Sequence, residues 1–136
     1  MTRRLFLLRR AAPLVLAASA GLAAAAATSP TQLLAEQQKL AGAPADAARG
    51  KTFFTSRHGR DWSCSSCHGE TPVQQGKHAS TGKAIGPLAP GANAERFSDT
   101  AKVDKWFRRN CNDVLGRECS AGEKADVMAW LMTLKK

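Results

Sequence analysis

Two cysteines and a histidine stand close together near the middle of the chain, in the run Cys64-Ser65-Ser66-Cys67-His68. This is the C-x-x-C-H spacing at which proteins attach c-type haem. Two thiols three residues apart can each form a thioether to a haem vinyl group. The histidine that follows then lies beneath the iron and supplies the proximal nitrogen ligand. The motif therefore predicts one covalently bound haem c, with Cys64 and Cys67 as its thioethers and His68 as its iron ligand.

Two other kinds of site also use closely spaced cysteines. A thioredoxin-like redox pair needs a βαβ setting, for which the sequence shows no pattern. A structural zinc site needs a second close cysteine pair, whereas Cys111 and Cys119 are eight residues apart. Haem attachment is therefore the interpretation that we favour.

The chain has four cysteines, and haem attachment leaves two of them, Cys111 and Cys119. Spare thiols pair in an oxidising compartment, so we expect a disulfide between them. Closing so short a loop is worth about 2–3 kcal/mol. Two free thiols are the alternative.

The sixth iron ligand decides the function, because a strong ligand such as Met favours electron transfer and a weak one permits gas binding. Met128 and Met132 lie four residues apart in the last predicted helix, where packing in the core is their simpler role. His78 lies in a Gly-containing loop, and we expect it on the surface. The other candidates are His58, Asn93, Asn110 and Asn112.

Asn110 is the unusual candidate, because it lies on an apolar helix face. That face is formed by Val103, Trp106, Phe107, Asn110 and Val114, which recur at helical spacing. A buried amide costs free energy unless it finds a partner. The partner is either haem iron or a backbone group, and the pattern alone does not decide between them. Asn112 falls on the polar side.

Four helices are predicted to position these residues, so the fold class is all-α with long loops and no strand. Segment 57–98 is rich in Gly, Pro, Ser and Thr and shows no lasting periodicity. So long an irregular stretch suggests that a buried cofactor fills it. The predicted helices run from Pro30 to a stop at Gly42, over about 45–56, over 100–115, and from a cap at Ser120 to the C-terminus.

Residues 1–27 predict a bacterial secretory signal peptide. Four arginines come first, and an uncharged Ala/Leu/Val run and small residues follow. We expect cleavage near Ala27 and a periplasmic mature protein, and a retained membrane anchor is the alternative. The rest divides into an N-terminal extension with a helix, 28–45, and a monohaem cytochrome c domain, 46–136.

Composition limits the classes of function. A chain of 136 residues fits one small domain and excludes a large catalytic barrel. The formal charge of +9 suggests a protein that binds nucleic acid. However, the signal peptide carries four of the 20 basic residues and none of the 11 acidic ones. The formal charge of the mature protein is therefore +5, and we no longer favour a nucleic-acid-binding function. With five Phe, three Trp and no Tyr, the core is small, and haem would complete it.

The C-terminal part of the chain carries a longer pattern. It reads KVDKWFRRNCNDVLGRECSAGEKADVMAWL, with CSSCH upstream and TGKAIGPLAPGANAERFSD between. Over roughly residues 30–134 the sequence resembles the sphaeroides haem protein (SHP) family, small class I-like c-type cytochromes of the bacterial periplasm. The resemblance implies a class I cytochrome c-like fold wrapped round one haem, in which Gly50 and Phe54 meet Trp130. It also implies that Asn110 is the sixth ligand of oxidised haem.

The resemblance implies a function as well. Reduction would release the asparagine and let O2 or NO bind, with CO as a further small ligand, and the electron donor would be a dihaem cytochrome c or a membrane cytochrome b. Basic residues such as Lys83, Lys102 and Arg109 would attract an acidic redox partner or simply form a solvated surface. Two alternatives stay open: an ordinary electron carrier with Met128 or Met132 as sixth ligand, and a haem enzyme that converts oxygen or nitric oxide.

Overall fold

The computed structural model describes residues 28–136, and the predicted signal peptide, 1–27, lies outside them. Among the described residues, no helix is both long and apolar enough to cross a membrane. The elements are α1 (Pro30–Ala41), α2 (Ala47–Thr55), α3 (Ser65–His68), β1 (Gly76–Lys77), β2 (Ala84–Ile85), α4 (Thr100–Leu115) and α5 (Ala121–Thr133). The four predicted helices are confirmed, and α3 adds one turn. The expectation of no strand is wrong, because β1 and β2 form a small antiparallel ladder.

The helices begin and end at residues that satisfy their terminal backbone groups. The Ser29 hydroxyl accepts from the Gln32 N–H, and the Gln32 side chain accepts from the Ser29 N–H. The same capping box joins Ser120 and Glu123 at the start of α5. Gly42 ends α1 in the left-handed conformation, with φ 66°. The predicted starts of α1 and α5 and the predicted stop at Gly42 are confirmed.

Helices α2 and α5 touch through their backbones. A Cβ atom on Gly50 would overlap the backbone carbonyl of Asp126, so only glycine permits this approach. One turn later, Phe54 is buried against Trp130, with ring centroids 4.9 Å apart. The helix pair that the family resemblance implied, Gly50 and Phe54 against Trp130, is therefore present.

One apolar cluster joins α1, α2 and α5. Helix α1 also packs on α5 and contributes Leu33, which is 1% exposed. The buried members of the cluster are Leu33, Phe54, Phe97, Val127, Met128, Trp130 and Leu131. Since Leu33 belongs to segment 28–45, this segment shares its core with the rest of the chain.

Asp126 carries an ion pair that the sequence did not predict. Its side chain is 8% exposed and receives two hydrogen bonds from the Arg49 guanidinium, one of them from Nη2 at 2.7 Å. The Asp46 backbone N–H donates to the same carboxylate at 2.7 Å. Asp46 is itself the N-cap of α2. The carboxylate therefore fixes the start of α2 on α5.

We expect Asp126→Ala to lower the free energy of unfolding by about 2–3 kcal/mol, because three donors lose their acceptor at a largely buried site. Arg49 is 60% exposed and can still be hydrated. The loss should therefore be smaller than when both partners of an ion pair are buried. The matched control is Lys102→Ala, which breaks the exposed Lys102–Asp99 pair and should cost about 0.5 kcal/mol or less. Urea unfolding of the holoprotein measures both, and equal effects would contradict the assignment.

Candidate cofactor site

The C-x-x-C-H run forms the single turn α3. The N–H groups of Cys67 and His68 both donate to the Cys64 carbonyl, at 3.3 and 3.2 Å. Just before the turn, the buried Ser63 hydroxyl hydrogen-bonds with the Ser65 hydroxyl at 2.7 Å. Gly69 ends the turn with φ 78°. The two thiols and the imidazole are therefore presented by one helical turn, as the motif requires.

The small hairpin β1–β2 packs behind this turn. A Cβ on Gly76 would overlap the Cys67 carbonyl, so the strand lies directly on the turn. The Ala79 N–H points to the Cys67 sulfur at 3.2 Å. Two-residue strands are too short to give the alternating pattern by which strands are recognised. The hairpin therefore could not be predicted from periodicity.

The site is a cavity of about 620 Å³ that Cys64, Cys67 and His68 line together. This volume lies within the range of roughly 300–1,000 Å³ that is usual for cofactor pockets. The apolar walls include Phe53, Phe54, Trp62, Leu88, Phe107 and Leu131. The walls are formed by residues of α2, α4 and α5 and by residues of the irregular segment between α2 and α4. The expectation that 57–98 wraps round a cofactor space is consistent with this cavity.

Burial sets the protonation state of the donors. Together with the positive charge of Arg96, which contributes less, burial lowers the pKa of His68 to about 4. The imidazole is therefore neutral at pH 7 and keeps a lone pair for a metal. Burial also raises the pKa of the Cys64 thiol to about 11. Arg96 is held in place by the carbonyls of Gly86 and Pro87, at 3.0 and 2.8 Å.

Asn110 lines the same cavity from α4. It is partly buried, and no side-chain hydrogen bond of Asn110 is found within residues 28–136. Its amide is reachable from the cavity, since no side-chain N or O atom of these residues is both fully buried and without a partner. Asn112, two residues on, is exposed and donates to the Arg108 carbonyl at 2.8 Å. Which of its two predicted partners, haem iron or a backbone group, Asn110 binds in the loaded protein stays a prediction. Asn110 lies at the wall of the space that a cofactor would take.

The apolar face of α4 was only partly predicted. Val103 and Phe107 are partly buried, but Trp106 is 47% exposed. All three line the cavity. Val103 and Phe107 also pack against the helical core, whereas Trp106 stays exposed at the edge of the cavity. Periodicity cannot distinguish these two roles.

Most of the other candidate ligands lie away from the cavity. Met128 is fully buried in the helical core, and neither it nor Met132 contributes to the cavity wall. His58 hydrogen-bonds to the Phe53 carbonyl at 2.7 Å, and Asn93 donates weakly to a backbone carbonyl. Neither of these side chains lines the cavity. The core role predicted for Met128 is confirmed.

His78 is partly buried and lines the cavity, which the expectation of a surface position did not include. Its Nδ1 atom lies 3.2 Å from the Ser80 hydroxyl and 3.4 Å from the Thr81 backbone nitrogen. These contacts tie the ring to the turn of the β1–β2 hairpin. The sequence missed this position because a ten-residue spacing from His68 does not reveal that the hairpin folds back.

Cys111 and Cys119 are joined in the structure, with their sulfur atoms 2.02 Å and their Cα atoms 5.6 Å apart. Both are buried and both border the cavity. Because Cys111 follows Asn110 directly, the bridge ties the backbone beside this amide to the start of α5.

Comparisons with known proteins show to which family the chain belongs. The chain matches the sequence family described as "Domain of unknown function (DUF1924)" over residues 40–131. It is 52% identical over 116 residues to the cytochrome c-type protein SHP of Cereibacter sphaeroides, which covers 82% of this chain and 89% of that protein. The chain belongs to the SHP family of c-type cytochromes. Cytochrome c'' of Methylophilus methylotrophus is 45% identical over 91 residues, covering 64% of this chain and 63% of that protein.

Solved structures of the SHP family and its relatives share the fold. Oxidised SHP, described as an oxygen-binding cytochrome c, matches with a TM-score of 0.75 and 50% identity, covering 79% of this chain and 99% of that one. Oxidised cytochrome c'' matches with a TM-score of 0.70 and 37% identity, covering 79% and 95%. The predicted family and the helical, class I-like fold are confirmed. Family membership implies haem c, and the two thiols, the neutral imidazole and the apolar cavity fit that group.

Proposed function

We propose that this protein is a periplasmic monohaem c-type cytochrome that binds O2 or NO when it is reduced and exchanges electrons with a partner cytochrome. The haem, when bound, supplies an iron that changes between ferric and ferrous states and has one position open to an exchangeable ligand. One observation carries the proposal. Asn110 lines the cavity together with His68, whereas Met128 does not.

In this proposal the residues of α3 hold the cofactor. Cys64 and Cys67 form the thioethers, and His68 is the proximal ligand. We assign residues 1–27 to a signal peptide, so the protein would be exported. Residues 28–45 form an N-terminal extension and residues 46–136 form the monohaem domain. The electron donor is a dihaem cytochrome c or a membrane cytochrome b.

Asn110 acts as a ligand that holds one oxidation state better than the other. An amide carbonyl oxygen is a hard, neutral donor, which suits ferric iron better than ferrous iron. With haem bound, reduction of its iron would weaken the hold on the Asn110 amide and would leave this position to O2 or NO. The disulfide at Cys111 holds the backbone next to Asn110, so the amide would be exchanged by rotation of its side chain. The oxygen binding described for the related SHP supports this step.

The first test removes the sixth ligand. We expect Asn110→Ala to raise the apparent affinity of the ferric protein for added imidazole by about tenfold or more, because the position no longer has to be vacated first. The ferric absorption spectrum should change as well. Met128→Leu and His78→Ala are the controls. Met128→Leu, in the helical core, should leave the spectrum unchanged, and a larger change in His78→Ala than in Asn110→Ala would move the assignment to His78.

The second test uses carbon monoxide as the added ligand. The ferrous wild-type protein should bind it, with a clear spectral change on titration. The ordinary electron carrier needs Met128 or Met132 as a strong ligand, and that carrier would resist carbon monoxide. Failure of the ferrous protein to bind carbon monoxide would therefore contradict the open position. Catalytic consumption of oxygen or nitric oxide by the protein with reduced donor would favour the enzyme alternative.

A further inference from the structure

Trp106 is exposed at the mouth of the cofactor cavity. Its side chain belongs to the cavity wall, yet the residue is 47% accessible to solvent. Among residues 28–136, the other exposed large apolar side chain is that of Leu40. Leu40 is on α1 and does not line the cavity. An exposed tryptophan at the edge of a cofactor site is a typical centre for protein contact.

Cations flank this tryptophan along one face of α4. The Nζ atom of Lys105 and the Cζ atom of Arg109 each lie 5.7 Å from the ring centroid of Trp106. Neither cation takes part in an ion pair within the described part of the chain. Lys102 lies on the same face and is paired only with the exposed Asp99, at 3.6 Å. One carboxylate, that of Asp113, also falls on this face, towards its C-terminal end.

We propose that this face of α4, formed by Lys102, Lys105, Trp106 and Arg109 and called the α4 docking face below, is where an acidic electron-donor protein binds. The inference rests on the proposed function, since it assumes that electrons enter the cavity that Trp106 borders. The unpaired cations attract a partner of opposite charge and raise its association rate. The tryptophan supplies the small apolar contact that a transient redox complex needs, with an interface below about 1,200 Å².

The position of the face favours a redox protein over other acidic partners. Electron transfer requires the donor to approach the cofactor closely, and the α4 docking face borders the cavity directly, through Trp106 and Arg109. A nucleic acid or a lipid surface would gain nothing from this proximity. Binding to anionic lipid vesicles is therefore an outcome that would count against the proposal.

Charge reversal tests the electrostatic part. Reduced flavodoxin serves as an acidic probe donor, and the measurement is the rate of reduction of the ferric holoprotein at low ionic strength. We expect Lys105→Glu/Arg109→Glu to slow this reduction by about tenfold or more. The matched control, Lys51→Glu/Lys136→Glu, changes the net charge equally at exposed positions outside the cavity wall and should slow it by less than about twofold. Equal slowing in the two variants would show that only net charge matters and would overturn the proposal.

A small cationic reductant separates docking from a damaged site. Hexaammineruthenium(II) should reduce Lys105→Glu/Arg109→Glu at least as fast as wild type, because the variant face no longer repels a cation. Slowing by both reductants would place the defect in the cofactor site and overturn the docking assignment. Trp106→Ala keeps all the charges, so it should raise the flavodoxin concentration needed for half-maximal rate by about fivefold while keeping the ionic-strength dependence. No change in this variant would remove Trp106 from the interface.

Carbon monoxide binding is measured on the same samples. Suppose that the ferrous wild-type protein binds carbon monoxide but charge reversal does not change the rate of reduction by flavodoxin. The proposed function then stands, and the assignment of the α4 docking face is wrong. If the rate effects appear without carbon monoxide binding, the docking face stands and the open sixth position fails. Co-sedimentation of the holoprotein with anionic vesicles that is lost in Lys105→Glu/Arg109→Glu would assign the face to lipid and overturn the proposal.

Discussion

Gly50→Ala should lower the free energy of unfolding by about 3 kcal/mol, because the added methyl group has no room. Its Cβ would overlap the Asp126 carbonyl and lie 2.8 Å from the Val127 nitrogen, and both neighbours are backbone atoms that cannot rotate away. The helices must therefore separate, which also loosens Phe54 against Trp130. Overpacking of this kind exceeds the gain of up to about 1 kcal/mol that alanine brings to a helix. Urea unfolding followed by circular dichroism measures the loss.

The matched control is Gly122→Ala, the same change in helix α5. The nearest atoms to a Cβ there are the Ala41 methyl and the Ser120 hydroxyl, both at 3.9 Å, which is ordinary contact. Gly122→Ala should leave stability unchanged or raise it by about 0.5 kcal/mol. If the two variants unfold at the same urea concentration, close approach of α2 and α5 is not what requires glycine at position 50.

The features predicted correctly from the sequence are those with local causes. The starts of α1 and α5 follow from Ser29, Ser120 and the residues that complete their capping boxes, and these interactions span only three residues. The C-x-x-C-H motif of Cys64–His68 is likewise contained within five positions. Such signals are complete within one stretch of chain, so no tertiary information is needed to recognise them.

The features that the sequence missed depend on contacts between distant segments. The pair of Arg49 with Asp126 joins residues 77 positions apart. His78 enters the cavity only because the β1–β2 hairpin packs on the α3 turn. Trp106 has the same spacing as a core residue but lies at the cavity mouth, since the cofactor space replaces a packed helix on that side. Periodicity reports which face is apolar and does not report what covers it.

Cys64→Ala/Cys67→Ala should abolish covalent haem attachment while the haem pocket itself persists. Without either thiol no thioether can form, so the haem that stays with the polypeptide after denaturation should fall from nearly all to nearly none. The cavity walls and His68 are unchanged, so a freshly purified variant can still hold haem by coordination and apolar contact. Haem staining of a denaturing gel measures the attached fraction, and the absorption spectrum of the native variant measures the part held without a covalent bond.

The matched control removes the other two cysteines. Cys111→Ala/Cys119→Ala keeps both thioether positions, so the haem should stay attached through denaturation. Loss of the short cross-link should instead lower the free energy of unfolding by about 2–3 kcal/mol. The disulfide also borders Asn110. The ferric spectrum of the control should therefore shift from that of the wild type towards that of Asn110→Ala. Haem that survives denaturation in Cys64→Ala/Cys67→Ala and is lost in the control would reverse the assignment of the two cysteine pairs.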